Sequence, residues 1–138
     1  MRQDGFTLVE MLVVITIIGL IMGLVGPRVL NYLSDSKSKA ARIQIEGFAQ
    51  ALDLYYLDNG SYPATNVGLG ALVQKPNDTE RWNGPYLKGS VVPKDPWGKP
   101  YAYAFPGTHS AAYDLVSFGA DGQEGGTEHA ADIANWQK

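Results

Sequence analysis

A chain of 138 residues with formal net charge −3 and no cysteine has room for one small domain. That balance leaves no strongly basic face, which excludes nucleic acid as a partner. Without thiols a thin core has no disulfide to support it, and a bound metal is the usual substitute.

The chain opens Met1-Arg2-Gln3-Asp4-Gly5, and from Phe6 to Gly26 almost every residue is apolar. Thr7, Glu10, Thr16 and a few glycines are the exceptions. About 20 residues of helix cross a bilayer's hydrocarbon, so this stretch is long enough to span it. A secretory signal would place a small-x-small cleavage site after its apolar run. Here the small residue, Gly5, comes before the run, and Gly26-Pro27-Arg28 follows it. The segment is therefore expected to stay in the mature protein. Arg2 and Arg28 flank it, with no polybasic cluster beyond.

Glu10 is the oddity in this segment. A carboxylate in a membrane helix costs about 2.5–3.5 kcal/mol or more, so it either snorkels to the interface or marks a functional pairing. Pro27 lacks an amide hydrogen, and a kink or local melting of the helix is expected there. Gly19, Gly23 and Gly26 add to that weakness or allow close helix packing.

Past Pro27 the pattern becomes amphipathic. Ile45, Phe48, Ala49, Leu52, Tyr55 and Tyr56 recur at spacings of three and four, with polar residues such as Lys39, Arg42, Glu46 and Asp53 between them. Gly60, in Asp58-Asn59-Gly60, suits a left-handed cap. The pattern predicts one helix from about Phe6 to about Leu57, interrupted near Pro27. Its apolar stripe needs a covering layer from the second half of the chain.

From Pro76 onward Gly, Pro and aromatic residues dominate, as in Asp95-Pro96-Trp97-Gly98, which favours short strands joined by turns. The expected strands are Tyr101–Phe105 and Tyr113–Phe118. The segment from Phe118 to Trp136 is rich in Asp, Glu and Gly. Carboxylates and inward-turned carbonyls suit calcium, which takes six to eight oxygens, although the EF-hand spacing is absent. Composition alone leaves a calcium loop and a solvated acidic loop both open.

Taken together, these motifs carry a resemblance. Gly5-Phe6-Thr7-Leu8-Val9-Glu10, the apolar run and Pro27 resemble the class III signal of type IV pilins and pseudopilins. Tyr62-Pro63, Gly68-Leu69-Gly70-Ala71-Leu72 with a short helix to Gln74, Asp95-Pro96-Trp97-Gly98 and the C-terminal segment resemble the major pseudopilins of type II secretion. The resemblance covers essentially the whole chain. It implies an α+β fold of the type IV pilin kind, in which a long N-terminal helix packs on a small antiparallel sheet and a calcium loop lies at the C-terminus. Residues 1–5 would be a leader removed by prepilin peptidase, with cleavage after Gly5 and methylation at Phe6. Residues 6–27 would form the membrane and filament-core helix, and residues 28–138 a periplasmic domain.

By the same resemblance Glu10 pairs with the terminal ammonium of Phe6 during assembly. Calcium is held by Asp121 and Asp132, with backbone carbonyls of Phe118 and Gln123 and an oxygen of Thr127. Ala130 stands where many relatives have another acidic residue. The implied role is structural: a single-pass protein of the bacterial inner membrane, built into a homo-oligomeric helical filament in the periplasm. Minor pseudopilins, an assembly platform and an outer-membrane secretin are the implied partners.

Two rival readings fit the sequence less well. A type IV pilin for adhesion or motility commonly closes its C-terminal region with a disulfide, and this chain has no cysteine. A membrane-tethered enzyme would have only His109 and His129 to build on, with no nucleophile elbow.

Overall fold

The computed structural model describes residues 4–109 and 111–137. Met1–Gln3, part of the expected leader, lie outside them. Two compact units divide between Asp35 and Ser36.

Helix α1 spans Leu8–Asn59. Its start is set by a reciprocal cap. The Glu10 amide donates to Thr7 Oγ1 at 3.2 Å, and the Thr7 amide donates to Glu10 Oε2 at 3.0 Å. This capping box satisfies two amides that the first turn would otherwise leave without partners. From Leu8 to Val25 α1 is almost wholly apolar and exposed at every position, Leu8 at 77% and Val25 at 46%. The polar exception Thr16 turns its hydroxyl back onto the Leu12 carbonyl at 2.7 Å. Among the described residues α1 is the one helix long and apolar enough to cross a membrane.

The expected interruption at Pro27 is not there, because Pro27 lies inside α1 with helix on both sides. A proline removes one donor from the ladder, and the turns on either side keep their own bonds. The helix continues through Pro27 without that donor.

In the second unit the rest of α1 lays one face on a core. Ala41, Ile45, Phe48, Ala51, Leu52 and Tyr55 are buried. The stripe differs from the expected one at its edges: Ala41 and Ala51 belong to it, whereas Tyr56 stays 46% exposed and packs on Tyr62, with ring centroids 4.9 Å apart. Gly60 ends the helix at φ 80°, its amide closing onto the Tyr56 carbonyl at 2.7 Å. That left-handed geometry is open to glycine without a Cβ penalty.

A 3-10 turn, Gly68–Leu72, then puts Leu69, Ala71 and Leu72 into the core. Trp82 donates its indole N–H to the Ala71 carbonyl at 2.7 Å, and the Tyr86 hydroxyl reaches Asp58 at 2.7 Å, tying this segment to the end of α1. Three short strands complete the unit: β1 (Ala102–Ala104), β2 (Asp114–Ser117) and β3 (Ile133–Ala134). They form an antiparallel sheet in the order β1-β2-β3, with Tyr103 opposite Leu115 and Val116 opposite Ala134. The first two fall inside the expected strands; β3 was not expected.

All four residues of β2 are buried, and Leu115 meets α1 residues in the same core. Phe48 packs edge-on against Tyr101 at 5.0 Å. The Tyr101 hydroxyl finds a polar partner in Gln44, and burial pushes its ionisation well above the usual tyrosine range. Asn135 fixes the returning chain with three bonds. Its amide donates to the Leu115 carbonyl, its side-chain oxygen accepts from the Leu115 amide, and its side-chain nitrogen donates to the Tyr113 carbonyl.

Candidate functional site

Two regions hold the residues singled out in the sequence. At the N-terminus Phe6 is 80% exposed, and the carboxylate of Glu10 is held by the Thr7 amide of the same chain. Residues still precede Phe6, so its nitrogen is a peptide amide and offers Glu10 no positive charge. Thr7 escaped the sequence reading, although Thr7-Leu8-Val9-Glu10 has the spacing of a capping box.

The second region is the loop of residues 118–132, which leaves the end of β2 and returns as β3. Asp132 faces inward: Oδ2 accepts the Gly125 amide at 2.8 Å, while Oδ1 is buried with no partner. A buried carboxylate oxygen without a donor is costly and calls for a cation or a donor. Asp121 Oδ1 accepts the Gln123 amide at 3.1 Å. Its Oδ2 lies 3.3 Å from where a Cβ on Gly126 would sit, and the Ala130 carbonyl oxygen lies 2.3 Å from that same point. Gly126, at φ 95°, is therefore a corner where only the bare backbone fits between two oxygens.

The expected ligands are placed unevenly. Phe118 and Asp132 line one cavity of about 220 Å³, together with Glu124, His109, Asp114 and Trp136. Asp121 lies at the Gly126 corner instead. The Thr127 carbonyl accepts the Ala130 amide at 3.0 Å in a 3-10 turn, Glu128–Ala130. Ala130 has no acidic side chain, and its carbonyl oxygen faces the Gly126 corner. Nothing in a one-letter sequence signals a carbonyl's direction.

Among the described residues no three His, Asp or Glu side chains converge as a metal cluster. Two carboxylates, one with an orphaned buried oxygen, plus inward carbonyls at glycine corners are a donor set that fits calcium.

Beside the loop is a cluster that the sequence did not reveal. His109 stacks on Trp136 with ring centroids 3.8 Å apart and parallel planes, and its Nδ1 lies 2.9 Å from Asp114 Oδ2. Asp114 also accepts from the Thr108 amide and hydroxyl and from the His109 amide. Burial alone would raise its carboxyl, but these bonds more than offset that and hold it down at about 2.

Residues 28–136 match the family model described as type II secretion system (T2SS), protein G. The chain belongs to this family. Residues 1–26 match the prokaryotic N-terminal methylation motif. The type II secretion system core protein G of Pseudomonas aeruginosa is 48% identical, over 98% of this chain and 96% of that one. The protein of the same name from Vibrio cholerae is 44% identical, over 98% of this chain and 92% of its own length. The crystal structure of the major pseudopilin from the type 2 secretion system of enterohaemorrhagic Escherichia coli superposes with a TM-score of 0.63 at 33% identity, covering 78% of this chain and 92% of that one. As a core protein G the chain is a structural pseudopilin subunit of type II secretion and not an enzyme. The expected long helix and small antiparallel sheet are those of that pseudopilin structure.

Proposed function

We propose that this chain is cut after Gly5 by a prepilin peptidase, methylated at Phe6, and added to a helical filament of identical copies in the periplasm. The observation that carries this reading is a helical segment apolar on all faces and fully exposed, with a single carboxylate one turn from the cleavage junction. Such a surface is stable only in lipid or against other apolar helices.

Cleavage changes the chemistry of Glu10. It creates an ammonium at Phe6, a far better partner for a carboxylate in an apolar setting than the Thr7 amide. A neighbouring copy that brings its ammonium to Glu10 neutralises both charges, so the pair favours one docking register. The domain of residues 28–138 lies on the periplasmic side, the helix of residues 6–27 crosses the inner membrane before assembly, and minor pseudopilins begin or cap the filament. An inner-membrane platform drives growth, which pushes folded cargo through an outer-membrane secretin.

The direct test is Glu10→Ala in cells that secrete by this route. The variant should be cleaved as efficiently as the parent and give few or no filaments. Normal filament yield would remove the pairing from the account.

We also propose that the loop of residues 118–132 binds calcium through Asp121, Asp132 and the carbonyls of Phe118, Gln123 and Ala130, with Thr127 contributing an oxygen. Bound calcium would supply the positive charge that the buried Asp132 Oδ1 lacks and would cross-link a glycine-rich loop, in place of a disulfide. The orphaned oxygen supports this reading. Thermal unfolding of the whole chain in detergent, with calcium and then with chelator, tests it. A midpoint that ignores calcium would refute the site.

A further inference from the structure

Lys99 lies 21 residues before Ala120, yet its side chain ends on the loop. Its Nζ donates to the Ala120 carbonyl at 3.0 Å. Its stem lies across Gly122 so closely that a Cβ there would come within 2.5 Å of Nζ and 2.9 Å of Cδ and Cε. The backbone beneath the lysine runs at φ 67°, a conformation that favours glycine.

The base from which Lys99 reaches is rigid. Its amide donates to Asp95 Oδ1 at 2.7 Å, and its carbonyl accepts the Asp95 amide at 2.8 Å. Asp95, 4% exposed, accepts the Ser117 hydroxyl at 2.7 Å through its other oxygen. The turn that carries Lys99 is thus tied to the last residue of β2, where the loop begins.

Asp121 therefore sits between two fixed neighbours, Ala120 bonded by the ammonium and Gly122 covered by the stem. The lysine's bond goes to a carbonyl, which leaves the Asp121 carboxylate to the Gln123 amide and to the Gly126 corner.

We propose that Lys99 is a positioning residue for the cation site, a built-in staple that holds Asp121 in place before any metal arrives. This rests on the calcium reading of the loop and adds to it a residue outside the loop. A pre-ordered site binds more tightly because less ordering remains to be done on binding, and residues that orient metal ligands are the ones whose loss weakens affinity without removing a ligand.

The test uses the whole chain in detergent micelles with Lys99→Met, which keeps the stem and removes the donor, and Lys99→Arg, which keeps the charge. Calcium affinity is read by calorimetry and loop order by amide hydrogen exchange in chelator. Lys99→Met should weaken calcium binding about tenfold. It should also speed exchange across residues 119–126 while leaving β2 protected, and Lys99→Arg should stay near the parent in both. Unchanged affinity and unchanged loop exchange in Lys99→Met would overturn the proposal. If the parent chain itself takes up no calcium, the metal reading fails separately, and equal loop exchange in chelator would then dispose of the staple as well.

Discussion

Helix α1 uses the same class of residue in two opposite ways. In its first half Leu20 and Leu24 are 70% and 73% exposed, and no face is covered. In its second half Phe48 and Leu52 are at 1% and 0%, covered by the sheet and the 3-10 turn. The later stretch has its partner encoded in the same chain and alternates polar and apolar positions accordingly. The earlier stretch has no polar face, a pattern that suits surroundings apolar on every side. Regular periodicity thus marks a helix that finds its partner within the chain, and its loss marks one whose partner comes from outside.

Truncation separates the two halves most sharply. Leu52→Ala should destabilise the folded domain by about 2–5 kcal/mol, since it empties a fully buried site. Leu20→Ala should leave the same thermal unfolding midpoint unmoved. A comparable loss from both would mean that the exposed half packs on the domain. Next in size is the chelator experiment. At 100 times its dissociation constant calcium should add about 2.7 kcal/mol to stability, and Asp132→Ala should abolish the difference. Ile15→Arg, in the middle of the apolar run, should add about 2.5–3.5 kcal/mol to the cost of membrane insertion. Fractionation of cells should then find less of the variant in the membrane, with the soluble domain still folded.

The smallest effect concerns acid. Asp114 is held near pH 2 in the fold, below its ordinary value, so it stabilises the fold above that ordinary value. That contribution fades as pH falls from about 4 towards 2. Asp114→Asn should flatten this part of the stability profile, seen by unfolding at stepped pH, and an identical profile would assign the acid response to other carboxylates.

Much of this was legible in the sequence. The spacing of Ile45, Phe48, Leu52 and Tyr55 fixed the covered face, and Gly60 fixed where the helix stops. β1 and β2 lay inside short aromatic-bounded stretches, Tyr101–Phe105 and Tyr113–Phe118, set off by Gly and Pro. Pro27 misled because α1 runs on through it. β3 was hidden because two residues carry no periodicity, and its pairing with Val116 and Ser117 is what defines the strand. Asp132 could be named from its composition and resemblance, but the orphaned oxygen, the Ala130 carbonyl and the reach of Lys99 depend on backbone direction. The stack of His109 on Trp136 joins residues 27 positions apart, and neither residue's neighbours announce the other.

The three bonds of Asn135 also impose an order of events. The central strand β2 gains its second neighbour from residues 133–135, which follow it in the chain. During synthesis the apolar helix, long enough to cross a membrane, is therefore complete while the domain still lacks its closing strand.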